Sequence, residues 1–308
     1  METLIALLSA SLRMSAPYLF GGLGGLYTQK SGIQNLCLEG FMVSGAFAGF
    51  IVAYYTQNAW MGVLGGIGAG VLTSSLFSLI TIPLGANQSI TSLALNIFMA
   101  GLSSYLFRQI FGVPRVLPIA QSSFQSVSIP ILSRIPILGP IVFKQHLLFY
   151  VAIILAPILS IFMDKTKPGI KIIACGESPD AAVSRGINVR LVRYSCVIFG
   201  GAMAGLAGTF LSIAQFNQFT PGMVAGRGYI AFALIIFGGW NTKKIVIGAL
   251  FFGFLEASAL FLQTLTDFPY HILLMLPYVV TVVALILTTK NVRSAKPAFL
   301  GVPFERTR

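Results

Sequence analysis

Apolar residues run along this chain in long unbroken stretches, and polar residues gather in the short gaps between them. A stretch of roughly 17–25 residues with few charges is long enough to cross the hydrocarbon layer of a bilayer as a helix. Such stretches cover residues 3–27, 38–55, 60–83, 87–112, 145–163, 194–214, 223–239, 245–264 and 271–289. The pattern predicts an all-α fold: a polytopic membrane helical bundle of about nine crossings, within a range of about eight to ten. Residues 1–308 form a single transmembrane domain in this reading, and one or more segments are broken or re-entrant.

The longest polar interruption is 164–193, DKTKPGIKIIACGESPDAAVSRGINVRLVR. Within it, GESPDAAVSRG carries the marks of a short helix. Ser178 is placed as an N-cap, Pro179 suits the first helical position, and Asp180 complements the helix dipole. Gly186 supplies a left-handed stop. Two turns do not persist alone in water, so this helix must dock on something, whether the membrane interface or a partner.

The spans themselves carry glycine pairs at spacing four: Gly21/Gly25, Gly45/Gly49, Gly62/Gly66/Gly70 and Gly201/Gly205. Small residues so spaced let helices approach closely in lipid. Polar groups at membrane depth are sharper signals, because each is costly there unless it faces a partner or a cavity. Asn35 and Glu39 lie in SGIQNLCLEG, where Gly32, Gly40 and the polar run point to a broken helix. Glu39 either caps a helix N-terminus or lines a pathway. Asn87, Gln88 and Asn96 lie in GANQSITSLALNIF, and Arg227 lies between two glycines at the start of a span. Gln215, Asn217 and Gln218 fall on the same outer side and flank an entrance in this reading. Glu256 is a lone acid in its span and needs a partner that the sequence does not name.

Composition agrees with a membrane protein: 56% of residues are hydrophobic and 9% charged, against about 25% charged in soluble domains. The net charge of +12 does not indicate nucleic acid, because the basic residues sit beside the spans, where topology requires them. Lys165, Lys167, Lys171, Arg185, Arg190 and Arg193 place 164–193 in the cytoplasm, and Lys290, Arg293, Lys296, Arg306 and Arg308 place the tail 290–308 there too. The turn at Lys243–Lys244 falls on the same side. The loop 113–144, rich in Pro and Ser and holding Arg115, Arg134 and Lys144, is external, as are 215–222 and 265–270. The N-terminus is then outside, and Arg13 leaves open a re-entrant first turn. The apolar start lacks a basic leader and reads as the first span. Cys37, Cys175 and Cys196 have no metal-type spacing and are expected to be reduced structural thiols. His146 and His271 stand apart near span ends, so neither a metal site nor clustered catalytic groups are expected, and the chain is not read as an enzyme.

GESPDAAVSRGINV, followed by GGAMAGLAG, resembles the permease subunits of bacterial ABC importers of the branched-chain amino acid, simple-sugar and nucleoside superfamily. APYLFGGLGGLYTQKSGIQNLCLEGFMVSGAF is similar to the start of the nucleoside-type permeases, with Cys37 where their pattern usually has glycine. GANQSITSLALNIF and GRGYIAFALIIFGGW match two further signatures in the expected order. The resemblance implies a bacterial inner-membrane permease paired with a second, larger paralogue. It implies a cytoplasmic ATPase as motor and an external binding lipoprotein or periplasmic protein that delivers substrate. Gly176, Glu177, Ser178, Pro179, Asp180, Ala181, Ala182, Arg185 and Gly186 then form the coupling helix that meets the ATPase.

This chain has no G-x-x-x-x-G-K-[ST] phosphate loop, so no cofactor is expected on it and ATP with magnesium belongs to the partner. Nucleosides lead as substrate, with riboflavin and simple sugars as alternatives. An ion-coupled secondary transporter is the rival class; it would use Glu39 and Glu256 but leaves the charged loop unexplained.

Overall fold

The long apolar stretches fold as helices because lipid offers no partner for a free N–H or C=O, and a helix satisfies its own. A computed structural model describes residues 2–113, 116–120, 124, 126–128, 138–265, 272, 275–283, 286 and 296–304. The described elements are α1 (Glu2–Lys30), α2 (Leu38–Thr56), α3 (Ala59–Thr81), α4 (Gln88–Phe111), β1 (Ser126–Ser128), α5 (Leu138–Val142), β2 (Lys144–His146), α6 (Leu147–Lys165), α7 (Lys167–Glu177), α8 (Pro179–Ser184), α9 (Val189–Thr209), α10 (Arg227–Phe237) and α11 (Thr242–Leu265). A π-helical segment, Phe210–Gln215, continues α9.

Among the described residues seven helices are long and apolar enough to cross a membrane: α1, α2, α3, α4, α6, α9 with its π extension, and α11. The expected span 223–239 shortens to the 11-residue α10. At about 1.5 Å per residue this helix covers only about half of the hydrocarbon core. Its first part is instead a run of turns over 221–226, where Gly226 takes φ 76°. Of the expected span 271–289, residues 275–283 are helical and most of the remainder lies outside the described residues. Arg13 does not interrupt α1, which runs unbroken through it and through Pro17.

The expected loop 164–193 is almost wholly helical. α7 fills its first half, and α9 begins at Val189, five residues earlier than the hydropathy places it.

The core is built around α9, which packs on α1, α2 and α3. The glycine pairs sit where these helices cross. A Cβ on Gly62 would come within 2.8 Å of the Gly49 carbonyl oxygen, and one on Gly70 within 2.9 Å of the Gly205 Cα. Thr209 Oγ1 donates across the same crossing to the Gly45 carbonyl at 3.2 Å. With lipid tails as apolar as leucine, such close van der Waals contact, not water exclusion, holds the helices together.

The two ends of the bundle are distinguishable. At one end the chain after α4 meets the chain after the π segment: Ile119 bridges Gln218, and Ala120 N–H donates to the Asn217 carbonyl at 3.3 Å. The β1–β2 hairpin, with Ser126 opposite His146, belongs to the same connection. Arg115 and Arg134 of the expected external loop lie outside the described residues. The opposite end gathers Lys30, α7, α8, the α10–α11 turn and the tail 296–304. Of the tail's basic residues, Lys296 is described and Lys290, Arg293, Arg306 and Arg308 lie outside the described residues.

Candidate functional site

The ladder of α1 closes on the N–H groups of Ser31, Gly32 and Ile33, and residues 34–37 then run on without helical hydrogen bonds, buried or half-buried. Irregular backbone at that depth needs side-chain partners. α4 supplies them from one face. Gln88 Oε1 accepts from Gln34 N–H at 2.7 Å, and Ser92 Oγ accepts from Leu36 N–H at 3.2 Å. Asn96 Oδ1 accepts from Gly40 N–H at 2.8 Å, and its Nδ2 donates to the Leu36 carbonyl at 3.1 Å. Gln88, Ser92 and Asn96 stand at spacing four, which aligns them one above another on a helix. Asn35 Oδ1 adds an Asx turn to Cys37 N–H at 2.9 Å. Cys37 itself sits at φ −80°, which any L residue adopts, so its place in a pattern that favours glycine causes no strain.

The second irregular segment, before α10, meets the first through Glu39. Its two carboxylate oxygens accept from Gly226 N–H at 2.8 Å and Gly228 N–H at 2.7 Å. An anion here satisfies the free amides and the positive dipole end of α10. Asn96 Nδ2 reaches the Tyr229 hydroxyl at 3.0 Å and closes the same seam. Glu39→Gln keeps the shape but replaces one accepting oxygen with an NH2 group that cannot accept. Loss of a hydrogen bond to a charged group predicts a drop in stability of about 1.5–3 kcal/mol, readable by thermal unfolding in detergent.

Arg227, the first residue of α10, is the partner that Glu256 lacked in sequence. Nε donates to Glu256 Oε1 at 3.0 Å and Nη2 completes a salt bridge to the same oxygen, with both side chains 12% exposed. Tyr18 donates to the other oxygen, Oε2, at 2.8 Å. Arg227 Nη1 also closes the turn before α10, donating to the carbonyls of Met223 at 2.8 Å and Val224 at 3.0 Å. The remaining sequence candidates stand apart. Asn87 caps its own helix, accepting from Ser89 and Ile90 N–H groups. Asn217 adopts φ 53° at the opposite end, beside Gln218. Sequence reading passed over Ser92, Tyr18 and Tyr229. Ser92 was visible as the midpoint between Gln88 and Asn96, whereas the tyrosines carry no local signal.

At the other end, α7 and α8 carry the predicted coupling residues. Thr166 caps α7, accepting from Gly169 N–H at 3.3 Å, and Pro168 follows in its first turn. This helix went unread because Lys167-Pro168-Gly169 looks like a loop; Thr-x-Pro at a helix start was the available signal. Ser178 holds the N-cap position of α8, but its hydroxyl makes no capping bond, which corrects the expected role. Gly186 does end the helix at φ 76°, with its N–H on the Val183 carbonyl and Ile187 N–H on the Ala182 carbonyl, a Schellman stop. Gly176, Pro179 and Ala182 are buried and seat the pair of helices, while Glu177, Asp180, Ala181, Arg185 and Gly186 are exposed.

The tail ties this end to the first irregular segment. Phe299 N–H donates to the Gly176 carbonyl at 2.9 Å, and Gly301 N–H donates to the Gly32 carbonyl at 3.0 Å. Arg193, only 2% exposed, donates to the carbonyls of Ser31 and Val302, each at 3.2 Å. Cys175 lies beneath, and burial raises its thiol above the usual range. All three cysteines are buried and unbridged. His146 Nδ1 donates to the Phe124 carbonyl at 2.8 Å, and burial lowers its pKa. No group of three or more metal-ligating side chains occurs among the described residues.

The chain is 32% identical to the guanosine ABC transporter permease protein NupQ of Bacillus subtilis over 313 residues, covering 98% of this chain and 97% of that one. It is 31% identical to the nucleoside ABC transporter permease protein NupC of Lactococcus lactis over 296 residues, 93% of each. TsgC13 of Haloferax volcanii, provisionally named a glucose ABC transporter permease protein, is 32% identical over 326 residues, 97% of each. Each of the first two organisms holds a second permease that matches more distantly, NupP at 23% and NupB at 22% identity. The family model for the branched-chain amino acid transport system permease component matches residues 7–288. These matches agree with a bundle of membrane-crossing helices and polar groups locked in structural bonds. The chain is a multi-pass integral protein of the cell membrane, a permease subunit and not an enzyme, and it belongs to the branched-chain amino acid transport system permease family.

Proposed function

We propose that this permease forms half of the translocation pathway of an ATP-driven importer of nucleosides, with a second, paralogous permease as the other half. The near-full-length similarity to NupQ and NupC carries the substrate reading. The paired permeases of their two organisms support a heterodimer. None of the relatives named above is named for riboflavin, so that alternative is set aside. The similarity to TsgC13 makes a sugar the second reading.

The end bearing α7 and α8 faces the cytoplasm in this proposal, in keeping with its lysines and arginines. ATP with magnesium binds a separate ATPase, and this chain binds no cofactor. An external binding protein delivers substrate at the opposite end, near Asn217. The exposed face of α8, with Glu177, Asp180 and Arg185, meets the ATPase. Its motion reaches the seam through Gly176, the tail and residues 31–37. Asn35, Glu39, Gln88, Asn96 and Arg227 act on the pathway by positioning its wall. Tyr229 on α10 and Tyr278 beside the turn before it, 40% and 43% exposed, offer rings on which a flat base can stack.

Competitive uptake in cells expressing the whole transporter tests this, using labelled adenosine, uridine and glucose with and without a protonophore. Nucleoside uptake is expected to survive the protonophore. It should fall to background in Glu177→Arg/Asp180→Arg, with the protein still present in the membrane. Uptake that follows the proton gradient and ignores the double substitution would overturn the ATP-driven reading, and glucose uptake alone would replace the substrate.

A further inference from the structure

At the α7–α8 end a polar cleft opens between α6 and the start of α11. Lys30, Asp164, Trp240 and Lys243 line it, together with Ser160 and Thr242. Ser160, Thr242 and Lys243 also line a second, apolar groove, which runs up the bundle between Ile153, Pro157 and Ile161 of α6 and Val246 and Ile247 of α11. The two cavities have volumes of about 400 and 610 Å³ and share one wall. A polar cleft at a membrane boundary that continues into a groove among lipid-depth side chains has the shape of one amphiphile, not of a soluble solute.

The charges name its head. Neither the Lys30 nor the Lys243 ammonium has a carboxylate within 4.0 Å among the described residues, where Arg227–Glu256 is the salt bridge found. The α11 N-terminus is already capped: Asn241 Oδ1 accepts from Lys243 N–H at 3.0 Å and from Lys244 N–H at 3.4 Å. Trp240 also has its indole N–H satisfied by Gln29 Oε1 at 2.7 Å, so its ring serves as a wall at headgroup level. What the cleft leaves open is two ammoniums for an anion, plus the Asp164 carboxylate and two hydroxyls for hydrogen-bond donors.

We infer that this cleft and groove form a binding site for an anionic phospholipid with a hydroxylated headgroup, such as a phosphoglycerol lipid. Its phosphodiester meets Lys30 and Lys243, its headgroup hydroxyls donate to Asp164, and one acyl chain lies along Pro157 and Ile247. The assignment to the cytoplasmic leaflet rests on the orientation proposed above; the site itself does not.

The complete transporter in proteoliposomes tests it, with a photoreactive diazirine on the acyl chain of either a phosphoglycerol or a phosphocholine lipid at equal mole fraction. Adducts mapped by mass spectrometry are expected on 153–161 and 242–247, several-fold stronger with phosphoglycerol. Lys30→Gln and Lys243→Gln should each lower that yield about fivefold. Lys165→Gln, an exposed lysine outside the cleft, should leave it unchanged. Ile161→Trp should block labelling with both lysines intact. Equal labelling by the two lipids, or yields indifferent to the two cleft lysines, would overturn the proposal. So would crosslinking of an Ile247→Cys variant to the second permease, because the groove would then be a subunit interface. Labelling is scored without ATP or substrate, so its result is independent of which solute the transporter carries.

Discussion

Replacing Arg227 by methionine is expected to lower stability by about 3–5 kcal/mol, because it strands the Glu256 carboxylate inside the bundle. Both side chains are 12% exposed, and Tyr18 alone remains to serve the acid. The same substitution removes the side-chain bonds to the carbonyls of Met223 and Val224 in the turn before α10, leaving Val224 only the backbone N–H of residue 227. Glu256→Gln should cost less, since the single amide oxygen still accepts from Arg227, the NH2 group can donate to the Tyr18 hydroxyl oxygen, and the guanidinium keeps its bonds to the carbonyls of Met223 and Val224. The double variant Arg227→Met/Glu256→Met should recover most of the loss, because it removes both desolvated charges together. Thermal unfolding of the four proteins in detergent gives the coupling between the two residues. A double variant as unstable as the sum of the single ones would mean that the ion pair is incidental. The rival reading of Glu256 as an ion-coupling acid predicts instead that Glu256→Gln abolishes transport without loss of stability.

Gly205→Val should be at least as damaging, by about 3 kcal/mol or more. A Cβ at this position meets the Gly66 carbonyl and lies 3.1 Å from the Gly70 Cα, so backbone, not a movable side chain, opposes it. α9 would have to retreat from α3, and the contacts of α2 with both would open with it. Gly68→Ala and Gly101→Ala provide the contrast. A Cβ at either position meets nothing within 4 Å, and alanine is the better helix former, so stability should hold or rise by up to about 1 kcal/mol. Equal unfolding temperatures for Gly205→Val and Gly68→Ala would show that the crossing does not hold the bundle.

The two kinds of site differ in how far the chain announces them. Seven of the nine expected spans, the glycine crossings, the end of α8 at Gly186 and the burial of Gln88 and Asn96 are all legible, because each is set by residues within a few turns. The helix α7 was also local but masked by Lys-Pro-Gly, which in this setting is a capped first turn and not a loop. The partners of the buried polar groups were not legible. Glu39 and Gly226 are 187 positions apart, and Tyr18 and Glu256 238.

The sequence by itself determined that this chain lives in a bilayer, since the need of every backbone group for a partner in hydrocarbon forces each apolar stretch into a helix before it meets any other. It also determined which faces pack closely, through the spacing of its glycines. Only the tertiary structure decided that α10 is too short to span the hydrocarbon core and that Glu39 caps it. It alone decided that Arg227 belongs to Glu256 and that the tail returns to tie α7 to the irregular segment after α1. A span is chosen by its own composition, but a polar side chain at depth takes whichever partner helix association brings to it, and that choice is made by neighbours distant in the chain.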